Sequence, residues 1–192
     1  SAPYLGQAYE QAYACDPEAA FGGIVGFNRP LDAATAQRLI ETFLEVIMAP
    51  AIAPEASALF TKKPNLRLVT LEWATAMRRD LEWRQLVGSW LLQEPDRVAF
   101  EPTSVKTVTK RAPTEHERSD LEFAWKAVKH AQSNSVVLAR GRATVGIGQG
   151  QPSRVGSVRL AIEKAGQRSR NAVAASDGFF PFPDSLELLS KA

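Results

Sequence analysis

Three short runs carry residues that could bind a small ligand: VGIGQGQPSR, SNSV and ASDGFFPFPD. The first run, residues 145–154, has three glycines and ends in Arg154, and glycine-rich turns before a helix often bind phosphate. A dinucleotide loop needs a glycine at position 151, where this chain has Gln. A Walker loop is excluded too, since no Gly-Lys-Ser/Thr follows. The run predicts a strand-to-helix turn with Arg154 either on an anionic oxygen or on the surface.

The second run, residues 133–136, places Ser-Asn-Ser between an apolar helix and an apolar strand. The side-chain amide of Asn134 could donate to a developing negative charge or orient a ligand amide. Asn is also well suited to the end of a helix. From the residues alone, we favour the helix-cap interpretation of Asn134.

The third run, residues 175–184, follows a predicted buried strand. Ligands of open α/β sheets bind at the carboxyl ends of the strands. Phe179, Phe180 and Phe182, stiffened by Pro181 and Pro183, could form an apolar wall for a flat heterocycle. The alternative, weighed evenly, is that these rings plug the core.

Two candidates lie in the first half of the chain. Gly22 precedes a predicted strand, where the backbone could approach a ligand closely or simply bend for packing. Glu45 lies between Leu44 and Val46 at a helix-to-strand junction, so its carboxylate is either functional or faces solvent.

Composition excludes several classes of protein. The 192 residues include 23 Lys and Arg against 21 Asp and Glu, a net charge of +2, which does not resemble a nucleic-acid binder. The single cysteine, Cys15, cannot form an internal disulfide. One cysteine and two histidines, His116 and His130, are too few for a Cys-rich or His-rich metal site, so we predict none. No signal peptide or membrane-length apolar run is present, so we predict a cytoplasmic protein.

Periodicity predicts alternating helices and strands, typical of an α/β fold. The alternation of strand, helix and strand between residues 24 and 71 indicates a parallel sheet. The run LVGSWLLQ predicts an extended segment. Gly141 indicates a hairpin between strands 135–139 and 142–148. Asp32 is a predicted helix cap, and capping boxes are predicted at residues 114–117 and 184–187.

Seven runs occur in a consistent order: AYACDPEAAFGGIVGFNRPLD, FLEVIMAP, KKPNLRLV, TVTKRAPTEHE, FAWKAVKHAQSNSVVLA, VGIGQGQPSRVGSVRLAIEKAG and ASDGFFPFPDS. Together they resemble the AICAR (aminoimidazole carboxamide ribonucleotide) transformylase part of the bifunctional purine-biosynthesis proteins, which also contain an IMP cyclohydrolase. The resemblance implies transfer of a formyl group from 10-formyltetrahydrofolate to the 5-amino group of AICAR, without a metal. It also implies a cytidine-deaminase-like three-layer α/β/α fold, with residues 1–110 in one subdomain and 111–192 in a related second one.

The resemblance also implies site residues and a homodimer with shared active sites. Four positions match nucleotide contacts of the family: Gly22, Glu45, Asn134 and Arg154. The resemblance implies that Asn134 is also catalytic and that Arg154 reaches the nucleotide from the neighbouring subunit. The positions that match the folate site are Val155, Phe179, Phe180 and Pro181.

The sequence departs from the family pattern in two ways. The family's catalytic Lys-His pair lies in a K-H-x-N-P-C-G run upstream of residue 4, outside this sequence, so we expect little turnover by these residues alone. Within the matched runs, four positions are unusual, and we expect each to be mild: Gln149, Pro152, Gly156 and Gly178. The alternative to an enzyme part is a non-catalytic relic or assembly module with the same fold.

Overall fold

A computed structural model describes residues 1–72 and 81–192 of the chain. Its helices, numbered over those residues, are α1 (Leu5–Cys15), α2 (Ala33–Leu39), α3 (Pro54–Leu59), α4 (Glu115–Val128), α5 (Arg154–Ala165) and α6 (Asp184–Lys191). The strands are β1 (Gly23–Gly26), β2 (Leu44–Ala49), β3 (Arg67–Thr70), β4 (Glu82–Leu86), β5 (Ser89–Gln93), β6 (Val136–Arg140), β7 (Ala143–Gly148) and β8 (Val173–Ser176). The predicted α/β class is confirmed.

The first sheet has the order β1-β2-β3, and both strand pairs are parallel, as predicted. A parallel pair requires a crossover connection, and α2 supplies it between β1 and β2. Asp32 begins α2 by accepting a hydrogen bond from the Thr35 amide at 2.6 Å, which confirms the predicted cap. Leu31, Leu39 and Ile47 are fully or almost fully buried in the core beside this sheet.

The second sheet has the order β7-β6-β8, and β6 runs antiparallel to both neighbours. The predicted hairpin is confirmed: its turn uses positive φ angles at Gly141 (+61°) and Arg142 (+57°). The buried carboxylate of Asp120 on α4 accepts from both turn amides, at 2.9 and 2.6 Å. The turn that sets the register of β6 and β7 is therefore fastened to the helix packed on the sheet.

The glycines of the VGIGQGQPSR run serve two different purposes. Gly146 and Gly148 lie within β7. A Cβ added at Gly146 would lie 2.1 Å from the Ala161 carbonyl oxygen, and one added at Gly148 would lie 1.9 Å from the Ser157 carbonyl oxygen. Only Gly150, with φ +65°, forms the turn before α5. Two of the three glycines thus allow a helix to pack closely on the strand, and they do not form a phosphate loop.

Helix α1 joins the two sheets. Its Tyr9 is buried in the first core, while the helix also contacts β7. Lys164 on α5 donates to the Asp16 carboxylate at 2.6 Å, and Arg168 donates to the Ala14 and Cys15 carbonyls at the end of α1. Two cationic side chains from the second half of the chain therefore bind the C-terminal end of α1.

Helix caps show where local sequence patterns are reliable. The Thr114–Glu117 capping box is present, and the hydrogen bonds from Arg111 and Thr114 lower the pKa of Glu117 to about 2. The second predicted box, at residues 184–187, is wrong. Helix α6 begins at Asp184 itself, after Pro183, so Asp184 is inside the helix, where its side chain accepts from the neighbouring Ser185 amide.

The predicted extended segment LVGSWLLQ is confirmed over its last five residues, which form β5, but a turn at residues 87–88 interrupts it and pairs β5 with β4 in a hairpin. All ten residues of its strands are exposed. Trp83 and Trp90 contact each other edge to face, with ring centroids 6.4 Å apart.

Candidate functional site

Three loops meet at one edge of the second sheet. Val136, the first residue of β6, pairs with Gly148 at the end of β7 and with Ser176 at the end of β8. Because β6 runs opposite to both neighbours, the segment entering β6 and the segments leaving β7 and β8 lie at the same edge. This arrangement brings together the three runs that the sequence marked separately.

Asp177 lies at the centre of these loops. Its Oδ2 accepts from the Ser133 hydroxyl at 2.5 Å, and its Oδ1 accepts from the Ser135 amide at 2.8 Å and from Arg154 Nη1 at 2.5 Å. The Asp177 amide in turn donates to the Ser135 carbonyl at 3.3 Å. One carboxylate therefore binds residues on both sides of Asn134 and the first residue of α5.

Arg154 is directed into this network. Its side chain is only 13% exposed, so the surface interpretation is wrong. Besides the bond to Asp177, Nη1 donates to Ser176 Oγ at 2.7 Å and Nη2 donates to Asn134 Oδ1 at 2.8 Å. Three of the five N–H donors of a guanidinium are thus used within the described part of the chain, which leaves the Nε–H and one N–H on Nη2.

Asn134 is not a helix cap, because α4 ends at Val128 and Lys129 is its C-terminal cap. Its side chain is used at both ends: Oδ1 accepts from Arg154, and Nδ2 donates to the carbonyls of Gln151 at 3.0 Å and Pro152 at 3.3 Å. The Asn134 carbonyl also accepts from the buried Ser157 hydroxyl at 2.7 Å. The orientation of this amide is therefore fixed by its neighbours.

The network is electrically balanced. Burial by itself would raise the pKa of Asp177, but the hydrogen bonds from Ser133, Arg154 and the Ser135 amide, with the charge of Arg154, outweigh it and lower the pKa to about 2. Asp177 is therefore ionised at neutral pH, and its negative charge compensates the guanidinium.

The space for Arg154 depends on a missing side chain. A Cβ added at Gly178 would lie 2.8 Å from Arg154 Nη2. Because the atom it meets is the end of a flexible side chain, a larger residue would displace the guanidinium and leave the backbone in place.

The phenylalanines after Asp177 divide between the two predicted roles. Phe179 is 82% exposed and Phe182 is 68% exposed, while Phe180 is half-buried against the second core. Val155 is half-buried in the first turn of α5, and Pro181 is exposed. Phe180 therefore plugs the core, whereas Phe179 and Phe182 form an accessible apolar surface.

An open cleft of about 1190 Å³ borders the network at Ser176. Its walls are residues 98–111, one side of α4 and the outer strand β8. Phe100 and Trp125 contact each other edge to face at 5.5 Å within this lining. The four residues predicted for the folate site are not among the cleft's lining residues.

The two candidates from the first half lie together, in the other sheet. Gly22 has φ +73° and donates its amide to the Phe43 carbonyl at 2.8 Å, just before β1. The Glu45 side chain in β2 is 56% exposed and lies 4.0 Å from Arg67. Within residues 1–72 and 81–192, no hydrogen bond or ion pair joins Gly22 or Glu45 to the Asn134 and Arg154 network.

Sequence reasoning missed Asp177, Ser133 and Ser176. The available signal was an acidic residue directly after a predicted strand, followed by a glycine, at the sheet edge where ligands bind. In the described ranges, no cluster of three or more His, Cys, Asp or Glu side chains could hold a metal ion. The helices of the same ranges are too short or too polar to span a membrane.

Comparison with known proteins gives consistent matches along the chain. The family pattern described as the AICARFT/IMPCHase bienzyme matches residues 1–164. The bifunctional purine biosynthesis protein PurH of Cyanothece sp. is 45% identical over 188 residues, 98% of this chain and 36% of that protein. PurH of Shouchella clausii is also 45% identical, covering 98% and 37%, and PurH of Bacillus cereus is 44% identical, covering 97% and 36%. The chain thus spans a little over a third of the length of these relatives.

Proposed function

The chain belongs to the AICARFT/IMPCHase bienzyme family, and on this premise we propose that it forms part of a purine-biosynthetic formyltransferase. The reaction is transfer of the formyl group of 10-formyltetrahydrofolate to the 5-amino group of AICAR. We further propose that the fold is cytidine-deaminase-like and that two copies of the enzyme share their active sites.

The observation that carries this proposal is the fixed pairing of Asn134 with Arg154 beside an open cleft. Both hydrogens of Asn134 Nδ2 are donated to Gln151 and Pro152, so Asn134 can position the AICAR carboxamide through the remaining acceptor capacity of Oδ1, whose orientation is set in advance. Arg154 retains the Nε–H and one Nη2 N–H for a nucleotide acceptor. The exposed ring of Phe179, with half-buried Val155 and exposed Pro181, could supply apolar contacts for a folate.

Nucleotide binding tests the assignment directly. We expect calorimetry to detect AICAR binding to the chain, and Arg154→Ala to weaken it by about 2 kcal/mol, or roughly 30-fold. The matched control is Arg159→Ala, which removes an exposed arginine from the same helix and should leave the affinity unchanged. Equal losses of AICAR affinity in the two variants would show that Arg154 contributes only through its general positive charge.

Turnover tests the reaction itself. Formyl transfer needs proton removal from the attacking amine, and the resemblance assigns that step to a Lys-His pair upstream of residue 4. We therefore expect nearly no transfer by the 192 residues alone and measurable transfer after fusion to a segment that carries the family's K-H-x-N-P-C-G run. Failure to bind AICAR in either form would favour the non-catalytic assembly module.

A further inference from the structure

We propose that Asp177 is a positioning residue, which holds the Asn134 amide and the Arg154 guanidinium in one arrangement for the ligand. The role of that arrangement in binding rests on the proposed function of the site. The carboxylate itself is not directed at a ligand, because its two oxygens are occupied by Ser133, Ser135 and Arg154.

The first support is the way Asp177 holds the backbone around Asn134. It binds the residue before Asn134 through the Ser133 hydroxyl and the residue after it through the Ser135 amide. A second backbone bond, from the Asp177 amide to the Ser135 carbonyl, fixes the loop that carries the carboxylate. Since both flanks are bound, the Asn134 side chain projects from a segment that cannot rotate freely.

The second support is charge. Arg154 is a mostly buried cation, and in the described part of the chain its ion pair is with Asp177. A cation taken out of water is costly unless it is paired. A neutral residue at position 177 therefore leaves the guanidinium without its compensating charge, held by hydrogen bonds to the neutral groups Ser176 Oγ and Asn134 Oδ1.

The third support is that loss of Asp177 should loosen the site without unfolding the sheet. Asn134 keeps bonds to Gln151, Pro152 and Ser157 on the opposite side. The antiparallel ladder from β6 to β8 involves backbone groups alone. Asp177→Asn, which preserves size and one acceptor oxygen, is therefore expected to fold.

The experiment compares Asp177→Asn with Asp16→Asn by NMR of the arginine side chains. Asp16 is a matched control, because it also forms an ion pair with a cation of α5, Lys164, at 2.6 Å. We expect Arg154 Nε and Nη signals with slow solvent exchange in the wild type and in Asp16→Asn, and exposed-arginine signals in Asp177→Asn. Unchanged Arg154 signals in Asp177→Asn overturn the proposal, whether or not any nucleotide binds.

A second measurement separates this proposal from the proposed function. AICAR affinity should fall at least tenfold in Asp177→Asn, stay unchanged in Asp16→Asn and recover in part in Asp177→Glu, which restores the charge. If the wild type does not bind AICAR, the proposed function fails while the NMR result still decides the positioning role. If the wild type binds and Asp177→Asn binds equally well, the positioning role fails alone.

Discussion

The two sheets of this chain present their candidate residues in opposite ways. In the first sheet, Gly22 and Glu45 lie at the start of parallel strands, and Glu45 is exposed with a distant arginine partner. In the second sheet, Asn134, Arg154 and Asp177 are bound to one another at the edge where β6 begins. The second site is arranged before any ligand arrives, whereas the residues of the first remain free to adapt.

Strand direction explains this difference. In a parallel sheet, all strands begin at one edge and end at the other. The loop that leaves one strand and the loop that enters the next therefore lie at opposite edges. The reversed central strand β6 instead brings one entering segment and two leaving segments to the same edge. Three short polar segments form a network there, whereas Gly22 and Glu45 lie at the edge of the first sheet where the parallel strands begin.

The largest expected effect contrasts a glycine in each sheet. Gly148→Ala should destabilise the fold by about 3 kcal/mol, because the new Cβ meets the Ser157 carbonyl oxygen at 1.9 Å and backbone must move. Gly26→Ala in β1 meets nothing within 4 Å and should be close to neutral. Urea unfolding of both variants gives the comparison, and equal midpoints would contradict the close packing of α5 on β7.

The next effect contrasts one arginine–carboxylate pair from each sheet. Arg154→Ala leaves Asp177 partly buried without its cation, and we expect a loss of about 2 kcal/mol in the free energy of unfolding. Arg67→Ala removes a side chain that is 67% exposed and 4.0 Å from Glu45, so the loss should be below about 0.5 kcal/mol. Similar losses for both would remove the distinction between a fixed and an adaptable site.

The pH dependence of stability provides a third test. The folded-state pKa of Asp177, about 2, lies below its ordinary value of 3.8, so the ionised form stabilises the fold. That contribution is fully present above the unfolded pKa and is lost as the pH falls through the folded pKa. The stability difference between wild type and Asp177→Asn should therefore be constant near neutrality and shrink between about pH 5 and pH 2. A difference that is the same at pH 2 and pH 7 would show that Asp177 is not charged in the network.

The smallest effect concerns Gly178→Ala. The added Cβ would meet Arg154 Nη2 at 2.8 Å, and the flexible side chain can yield, so stability should change by less than about 1 kcal/mol. The Arg154 side-chain signals should nevertheless shift toward those of Asp177→Asn. A Gly178→Ala spectrum identical to the wild type would show that the guanidinium does not depend on this space.

Much of the fold could be predicted from local patterns. The cap at Asp32, the capping box at Thr114 and the turn at Gly141 each follow from a few adjacent residues, and each is present. The box predicted at Asp184 failed because the same spacing also occurs inside a helix, and only the preceding Pro183 backbone decided where α6 begins.

The sequence by itself determined the α/β class, the family and the three runs that carry the candidate site. Only the tertiary structure decided what those runs do. It showed that Gly146 and Gly148 make room for α5, that Arg154 points inward onto Asn134, and that Asp177 binds both Arg154 and the neighbours of Asn134. The physical reason is that caps and turns are contacts between neighbours in sequence, whereas the site consists of contacts between residues 17 to 44 positions apart. Such contacts depend on the direction of β6, which no run of residues specifies alone.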